Sequence, residues 1–286
     1  MPETRLAWQP DALLAGSASG VVPARPAATV ILPRAGASGR PEVFMVRRTA
    51  GTAFAADAFV FPGGAIEAAD QSELALASAP GLTLEAAHAR LVERGGDPPP
   101  DPRMSFALHL AAVRELFEEA GVLLAVPRSG VMGGAPDGAL IERLATARAD
   151  VLAGTRSLGE LARGERLDLA PEQLVYFSHW ITPELSPRRF DTRFFAALMP
   201  AGQTALHCNL ETTEGEWLEP AVAIDRAARG ELKIVFATSA HLERLARFSS
   251  VDELLRFARS KPIRTVRPTL TRGDGGWSVG PVDQPW

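Results

Sequence analysis

The sequence predicts an α/β or α+β sandwich, and three observations lead to this fold class. Short apolar runs rich in β-branched residues alternate along the chain with longer segments of helical periodicity. The 286 residues, of which 46% are hydrophobic and 22% charged, are enough to bury a full core. No internal repeat is visible, so a layered arrangement of strands and helices is the expected architecture.

The first half of the chain predicts strands and then helices. Residues 1–25, rich in Ala, Gly, Ser and Pro, predict a flexible arm. Three apolar runs predict strands: Ala28–Leu32, Val43–Val46 and Phe59–Phe61. The third run ends at Pro62-Gly63-Gly64, a strong loop signal. Helices are predicted at Thr83–Glu93, and from a cap at Ser105 to about Ala120, where Gly121 is the stop signal.

The second half of the chain alternates between the same two patterns. Helical periodicity and turn residues predict five helices, at Gly138–Ala153, Leu158–Arg163, Pro220–Ala228, Ser239–Phe248 and Ser250–Ala258. Strand-like runs lie at Leu174–Ile181 and Arg193–Leu198. The Gly-rich tail from Arg267 shows no clear pattern.

Composition excludes several classes of protein. The formal net charge of −4 provides no basic field for nucleic acid or an anionic membrane. Cys208 is the only cysteine, so an intramolecular disulfide and a Cys-rich zinc site are impossible, and a buried, structural cysteine is expected. No apolar run reaches the roughly 18 residues of a membrane helix. The first residues are acidic and Pro-containing rather than basic and then apolar, so we expect a cytoplasmic protein.

The segment Ser105–Val122 carries the most informative residues. At about 100° per residue its apolar side chains fall on one stripe, the predicted core face. This stripe contains Phe106, Leu110, Val113, Phe117 and Ala120. Glu115, Glu118 and Glu119 fall on the opposite side at i+3 and i+4 spacing, where a hard cation such as Mg²⁺ or Mn²⁺ would offset their repulsion. The alternative is a solvated face, with Arg114 and Glu118 as an ordinary ion pair.

Two separated segments complete a known motif. Residues 114–122 read R-E-L-F-E-E-A-G-V, and residues 61–70 read F-P-G-G-A-I-E-A-A-D. Together they resemble the Nudix box, G-x5-E-x7-R-E-U-x-E-E-x-G-U with U aliphatic, so the chain resembles a Nudix hydrolase. Gly64 and Asp70 have five residues between them, as G-x5-E requires. The chain departs from the box in two ways, since Asp70 stands in place of Glu and the seven-residue gap has become Gln71–Val113.

One branch of this family, the coenzyme A diphosphatases of the Nudix motif 19 type, has an insertion at this point. The chain is similar to that branch over roughly Ala27–Ala258. The similar segments are Phe59–Gly64, Trp180–Pro183, Arg189–Thr192, Phe194–Phe195 and Phe248–Leu254. The resemblance implies a Nudix fold, a mixed sheet between helices, in a domain over 26–260. Two helical or irregular insertions are expected at about 71–104 and 127–170, with the arm 1–25 and a tail over 261–286.

The resemblance also implies a metal site. The ligands of Mg²⁺ or Mn²⁺ would be the carboxylates of Glu115, Glu118 and Glu119 and the backbone carbonyl of Gly63. Arg114 would orient a helix carboxylate. The bound metal would neutralise the phosphate oxygens and acidify a water molecule.

The resemblance leaves the general base open between Glu119 and a second carboxylate. In MutT-type members a further Glu lies six residues before a Trp, and Glu211 lies six residues before Trp217. Glu211 is therefore the candidate for an extra ligand or base, with Glu214 and Glu216 as alternatives. The other interpretation of Glu211 is an exposed loop acid.

The branch implies coenzyme A or acyl-coenzyme A as the substrate, cut to 3′,5′-ADP and a phosphopantetheine product. NADH, ADP-ribose and dinucleoside polyphosphates remain alternatives, because they need the same metal helix. We expect Arg188, Arg189 or Arg193 to hold a 3′-phosphate; otherwise they are ordinary surface arginines near Asp191. The partner is thus a small nucleotide-type molecule, and a homodimer is the expected assembly if one forms. The alternative from another class is a non-catalytic sensor that binds a nucleotide. This alternative stays open because Asp70 replaces the Glu of the box.

Overall fold

The computed structural model describes residues 4–5, 21–51, 55–97, 101–128, 138–184, 186, 188–208, 212–273 and 276–279. Its strands are β1 (Thr4–Arg5), β2 (Arg25–Ile31), β3 (Pro33–Ala35), β4 (Pro41–Arg48), β5 (Phe59–Val60), β6 (Gly63–Ala65), β7 (Ala125–Pro127), β8 (Leu167–Leu169), β9 (Val175–Ile181), β10 (Phe190–Ala196), β11 (Thr212–Leu218), β12 (Thr265–Val266), β13 (Leu270–Gly273) and β14 (Gly276–Val279). Its helices are α1 (Glu73–Ala77), α2 (Leu84–Val92), α3 (Pro102–Ala120), α4 (Gly138–Leu152), α5 (Leu158–Gly164), α6 (Pro220–Ala228), α7 (Phe236–Leu245) and α8 (Val251–Ser260).

The main sheet has five strands in the order β12-β9-β10-β2-β6 and is mixed. Strand β10 pairs in parallel with β2 and antiparallel with β9, and β6 pairs antiparallel with β2. A second sheet has the order β11-β4-β3, with β5 also paired to β4. The short pair β7-β8 lies at the two ends of the second insertion, and β1, β14 and β13 form a separate sheet.

The strands bury side chains on both faces, which explains their nearly continuous apolar sequences. On β2, Ala28 and Val30 belong to a core with helices α2 to α5, whereas Ile31 belongs to a second core with α6 to α8. On β10, Phe195 likewise lies in the first of these cores and Phe194 in the second. The predicted mixed sheet between helices is therefore confirmed.

Helix α3 begins earlier than predicted. The Asp101 side chain accepts a hydrogen bond from the Met104 N–H at 2.9 Å, and Pro102 occupies the first turn, where its missing N–H has no consequence. Ser105 is therefore not the cap; its hydroxyl lies inside the helix and donates to the Asp101 carbonyl at 3.0 Å. Gly121 ends the helix at φ +68°, as predicted, in a conformation that favours glycine.

Most other predicted elements are confirmed with shifted ends. Helix α2 begins after its Thr83 cap as predicted, and α6 has the predicted bounds. Strand β10 begins at Phe190 rather than Arg193, because pairing with β2 extends it through polar residues. Helix α7 lies three residues earlier than predicted, at Phe236–Leu245. The tail, which showed no pattern, contributes β13 and β14, and β14 pairs with β1 in the predicted arm.

The segments predicted as insertions pack around helix α3. Helices α1 and α2 come from the first, and α4 and α5 from the second. Leu91 of α2, Leu144 and Val151 of α4, and Leu161 of α5 are buried in the same core as α3. No helix within the described ranges is both long and apolar enough to cross a membrane.

Candidate active site

Helix α3 places three carboxylates beside strand β6. Glu115, Glu118 and Glu119 lie in its last two turns and are only 7%, 6% and 1% exposed. The interpretation of this face as solvated is therefore wrong, because the insertions and the sheet cover it. Buried carboxylates need charge partners and hydrogen bonds, and the surrounding residues provide both.

The guanidinium of Arg114 connects the carboxylates. Its Nη1 donates to Glu115 Oε1 at 3.0 Å and to Glu118 Oε2 at 2.8 Å. Its Nε donates to Asp70 Oδ1 at 3.0 Å, and its Nη2 donates to Asp70 Oδ2 at 3.1 Å and to the Ala65 carbonyl at 2.9 Å. Burial opposes the charge, but the surrounding carboxylates outweigh it and raise the pKa of Arg114. These contacts fit the predicted orienting role.

Asp70 occupies the position at which the Nudix box has Glu. It lies in a short 3-10 helix, Ala68–Gln71, and its Oδ2 also accepts from the Glu67 N–H at 2.9 Å. Burial raises the pKa of Asp70, and the Arg114 charge opposes that rise. The shorter side chain of Asp70 reaches Arg114 in a fork-like pair.

Glu118 has a strongly perturbed carboxyl group. Burial raises its pKa to about 8, even though Arg114 acts in the opposite direction. The neighbouring Glu115 charge raises it further. A nearby positive charge would stabilise the ionised form of Glu118 and so lower its pKa.

Two glycines let the β6 backbone approach these acids. The Gly63 N–H donates to Glu119 Oε2 at 2.9 Å. A Cβ on Gly64 would lie 2.3 Å from Glu115 Oε1, and one on Gly63 would lie 2.4 Å from the Thr29 hydroxyl oxygen. No larger residue fits at either position without moving its neighbours: Gly64 packs against the Glu115 carboxylate, and Gly63 packs against strand β2.

A comparison with known families identifies this arrangement. The model of the NUDT19 Nudix domain matches residues 17–245, which is well over half of the chain. The chain belongs to this Nudix family. It is a Nudix pyrophosphohydrolase, an enzyme of a family that acts on small nucleotide-type substrates.

Curated relatives and a solved structure agree with the family. The chain is 30% identical to the "Acyl-coenzyme A diphosphatase NUDT19" of Gallus gallus, over 91% of this chain and 79% of the relative. It is also 30% identical to the Homo sapiens protein of that name, over 85% of this chain and 71% of the relative. A Nudix hydrolase from Alicyclobacillus acidocaldarius superposes with a TM-score of 0.64 at 24% identity, over 84% of this chain and 98% of that one, which shows the shared fold.

Nudix hydrolases generally use divalent metal ions, and the donor set of this chain fits such ions. Three carboxylates and an adjacent glycine backbone provide hard oxygen ligands, and Gly64 leaves room for the Glu115 carboxylate. Within the described residues, no three acidic, His or Cys side chains converge as a ready-made cage. Instead, Arg114 donates to one oxygen each of Glu115 and Glu118. The Gly63 N–H donates to one oxygen of Glu119.

Of the two candidate general bases, one lies within the described residues. Glu119 is in the buried cluster, whereas Glu211 lies outside the described residues, so its role stays a prediction. Of its alternatives, Glu214 lies 3.5 Å from Arg47 Nη1, and Glu216 accepts from Arg226 Nη1 at 2.5 Å. Both alternatives are thus engaged by surface arginines.

Of the three arginines predicted to bind phosphate, Arg188 and Arg189 lie just before β10 and Arg193 lies within it. Arg188 is exposed. Arg189 donates to the carbonyls of Thr182 and Val22 at 3.1 and 2.7 Å. Arg193 is 2% exposed and donates to Asp191, so the interpretation of it as a surface arginine is wrong. Their contact with a 3′-phosphate stays a prediction.

Sequence reasoning missed two residues near the site. Glu67 lies 3.9 Å from Arg114 Nη1, and its place inside the first half of the box was the available signal. Arg148 of α4 donates from Nε to the Glu118 carbonyl at 2.9 Å, and no motif pointed to it. Cys208 is buried, as expected for a structural cysteine.

Proposed function

We propose that this Nudix enzyme hydrolyses the pyrophosphate bond of coenzyme A or acyl-coenzyme A, using Mg²⁺ or Mn²⁺. The products are 3′,5′-ADP and phosphopantetheine or its acyl derivative. One observation carries the choice of substrate: the 30% identity extends over 91% of this chain and 79% of a relative named as an acyl-coenzyme A diphosphatase. The buried carboxylates around Arg114 support catalysis by the chain itself.

Each residue of the cluster has a proposed role. Glu115, Glu118, Glu119 and the Gly63 carbonyl would hold the metal, which supplies charge neutralisation and a more acidic water when bound. Arg114 fixes Glu115 and Glu118 through one nitrogen, so both carboxylates keep a defined orientation. The Gly63 N–H fixes Glu119.

The proposed reaction is a simple hydrolysis. A water oxygen forms a bond to one phosphorus atom, and the bond from that phosphorus to the bridging oxygen breaks. Glu119 or Glu211 takes the proton of the water as general base. The bridging oxygen leaves with the other phosphate, so no oxidant or second substrate is needed.

Product analysis by mass spectrometry tests the function. The purified chain, with Mg²⁺ or Mn²⁺, is incubated separately with coenzyme A, acetyl-coenzyme A, NADH, ADP-ribose and a dinucleoside polyphosphate. We expect 3′,5′-ADP from the coenzyme A substrates and, for Glu118→Gln, loss of at least about a hundredfold in turnover. Glu184→Gln, at an exposed carboxylate, is the control.

Each other result has a distinct meaning. Cleavage mainly of NADH, ADP-ribose or the dinucleotide would keep the Nudix chemistry and reject the substrate. Failure of the folded chain to cleave any of them would favour the non-catalytic sensor. The cytoplasmic location and the homodimer are also proposals, which cell fractionation and light scattering test.

A further inference from the structure

A cavity of about 160 Å³ lies beside the catalytic cluster, between the two insertions. Leu110 and Arg114 of α3 form one wall, and the turn at 154–157 between α4 and α5 forms the opposite wall. Glu67 and Asp70 lie at the end nearest the carboxylates. The cavity is smaller than the roughly 300–1,000 Å³ of a pocket for a whole ligand, so it suits one slender part of a substrate.

This cavity borders the proposed catalytic site. Asp70 and Arg114, which line it, are the same residues that form the buried pair. Glu67 lies 3.9 Å from the Arg114 Nη1 atom that also donates to Glu115 and Glu118. Arg114 therefore touches both the cavity and the glutamates, so the two regions are one side chain apart.

The lining favours an uncharged group over an anionic one. Its lining is mixed: Ala75, Leu110, Val151 and Leu158 form an apolar part, and three acids face two arginines around it. Asp70 neutralises Arg114, and the other acid of the near end, Glu67, would repel a phosphate. At the rim, Arg156 donates to the Glu160 carbonyl at 3.4 Å. Nucleotide phosphates bind where cations are in excess, which is not the case here.

We infer that this cavity binds the pantetheine arm of the substrate, an inference that rests on the proposed function. The arm is slender and uncharged, with methylene and dimethyl groups for the apolar wall. The N–H groups and hydroxyls of the 154–157 turn are bonded to Val151, Asp150 and Glu160, so this turn presents a fixed wall to the arm rather than spare donors. Both insertions therefore contribute to substrate selection, and the 3′,5′-ADP part lies outside the cavity.

A bulky side chain at the rim tests this assignment. Thr155 is exposed, and its Oγ1 donates to the Asp150 carbonyl at 3.0 Å. Thr146, outside the cavity, is also exposed and donates to the Glu142 carbonyl at 3.0 Å, so Thr146→Trp is a matched control. We expect Thr155→Trp to raise KM for acetyl-coenzyme A about tenfold, and the inhibition constant of S-acetyl-phosphopantetheine equally. The inhibition constant of 3′,5′-ADP should stay within about twofold.

A second variant reports occupancy directly. The chain has one native cysteine, Cys208, which is buried, so Thr155→Cys introduces a single exposed thiol. We expect S-acetyl-phosphopantetheine to slow the modification of this thiol by N-ethylmaleimide, and 3′,5′-ADP to leave it unchanged. The wild-type chain under the same reagent measures the background from Cys208.

The outcomes separate the inference from the proposed function. Release of no 3′,5′-ADP by the wild-type chain would reject the function. Normal release together with equal protection by both products, protection by 3′,5′-ADP alone, or no protection would overturn the cavity assignment. An unchanged ratio of the two inhibition constants in Thr155→Trp would also overturn it.

Discussion

At the scale of single residues, the carboxyl groups of the site outnumber the cations near them. Asp70, Glu115 and Glu118 all accept hydrogen bonds from Arg114, and Glu119 accepts from the uncharged Gly63 N–H. One guanidinium does not offset the burial of these carboxylates, and the pKa of Glu118 is raised to about 8 as a result. The cluster therefore favours additional cations on electrostatic grounds, which supports metal binding independently of the family relationship.

A methyl group at Gly64 should separate catalysis from stability. In Gly64→Ala the new Cβ would lie 2.3 Å from Glu115 Oε1, so the carboxylate must move. The displaced atom is the end of a flexible side chain, and we expect Tm to fall by only a few degrees. Turnover should fall by at least about tenfold, because the displaced carboxylate no longer has its catalytic orientation.

Gly51→Ala is the matched control for this change, because a Cβ at Gly51 meets nothing within 4 Å. Metal-dependent product release and thermal unfolding are measured for both variants. Full turnover in Gly64→Ala would contradict the role given to close packing at this glycine. So would a Tm loss large enough to account for the missing activity.

At the scale of elements, the predicted helices and strands depended on local signals. Gly121 and Thr83 predicted a helix end and a helix start correctly, because each acts on the backbone next to it. The Ser105 cap was wrong because two cap residues compete there, and Asp101 with Pro102 occupies the earlier position. The predicted strand β10 began too late, because pairing with β2, which is distant in sequence, extends the strand through Phe190–Thr192.

The contacts that complete the site were beyond sequence reasoning for a different reason. The box residues Arg114 and Glu118 were found from their motif. Asp70 was found too, but its fork-like contact with Arg114 joins residues 44 positions apart. Arg148 belongs to an insertion with no motif, and only the packing of α4 on α3 brings it to the Glu118 carbonyl. Long-range packing of this kind leaves no periodic signal in the chain.

Arg148 should hold the last turn of the catalytic helix. Its Nε donates to the Glu118 carbonyl, one of the C-terminal carbonyls that lack a helical partner and carry the negative end of the helix dipole. In Arg148→Met this turn loses its cation, and the turn carries Glu118 and Glu119. We expect kcat to fall about three- to tenfold with little change in KM, measured from initial rates at saturating metal.

Arg143→Met is the control on the same helix. Arg143 is exposed and pairs with Glu165 at 2.8 Å, and pairs of this kind contribute about 0–1 kcal/mol. The control should therefore retain kcat and nearly all stability. Equal kcat in the two variants would show that the insertion does not position the helix end.

At the scale of the whole molecule, two apolar cores on opposite faces of the main sheet enclose titratable groups. His109 lies in α3 against Phe195, and its ring Nδ1 is 2.8 Å from the Ser105 carbonyl. His241 lies in the other core, 2.6 Å from the Ser178 hydroxyl oxygen. Burial lowers the pKa of His109 to about 4 and that of His241 to about 3. Both cores thus require neutral imidazoles.

Mild acid should therefore destabilise the fold through these histidines. The unfolded chain binds protons near the ordinary His pKa of about 6.5, whereas folded His109 does so only near 4. Its contribution is present above pH 6.5 and is lost as the pH falls towards 4, by on the order of 2 kcal/mol between pH 7 and pH 5. His109→Met should flatten this dependence by that amount, measured by urea unfolding at both pH values. Leu108→Met, a nearby buried change without a titrating group, should lower stability equally at both. An identical pH dependence in His109→Met and the wild-type chain would mean that the buried imidazole is not what links this core to pH.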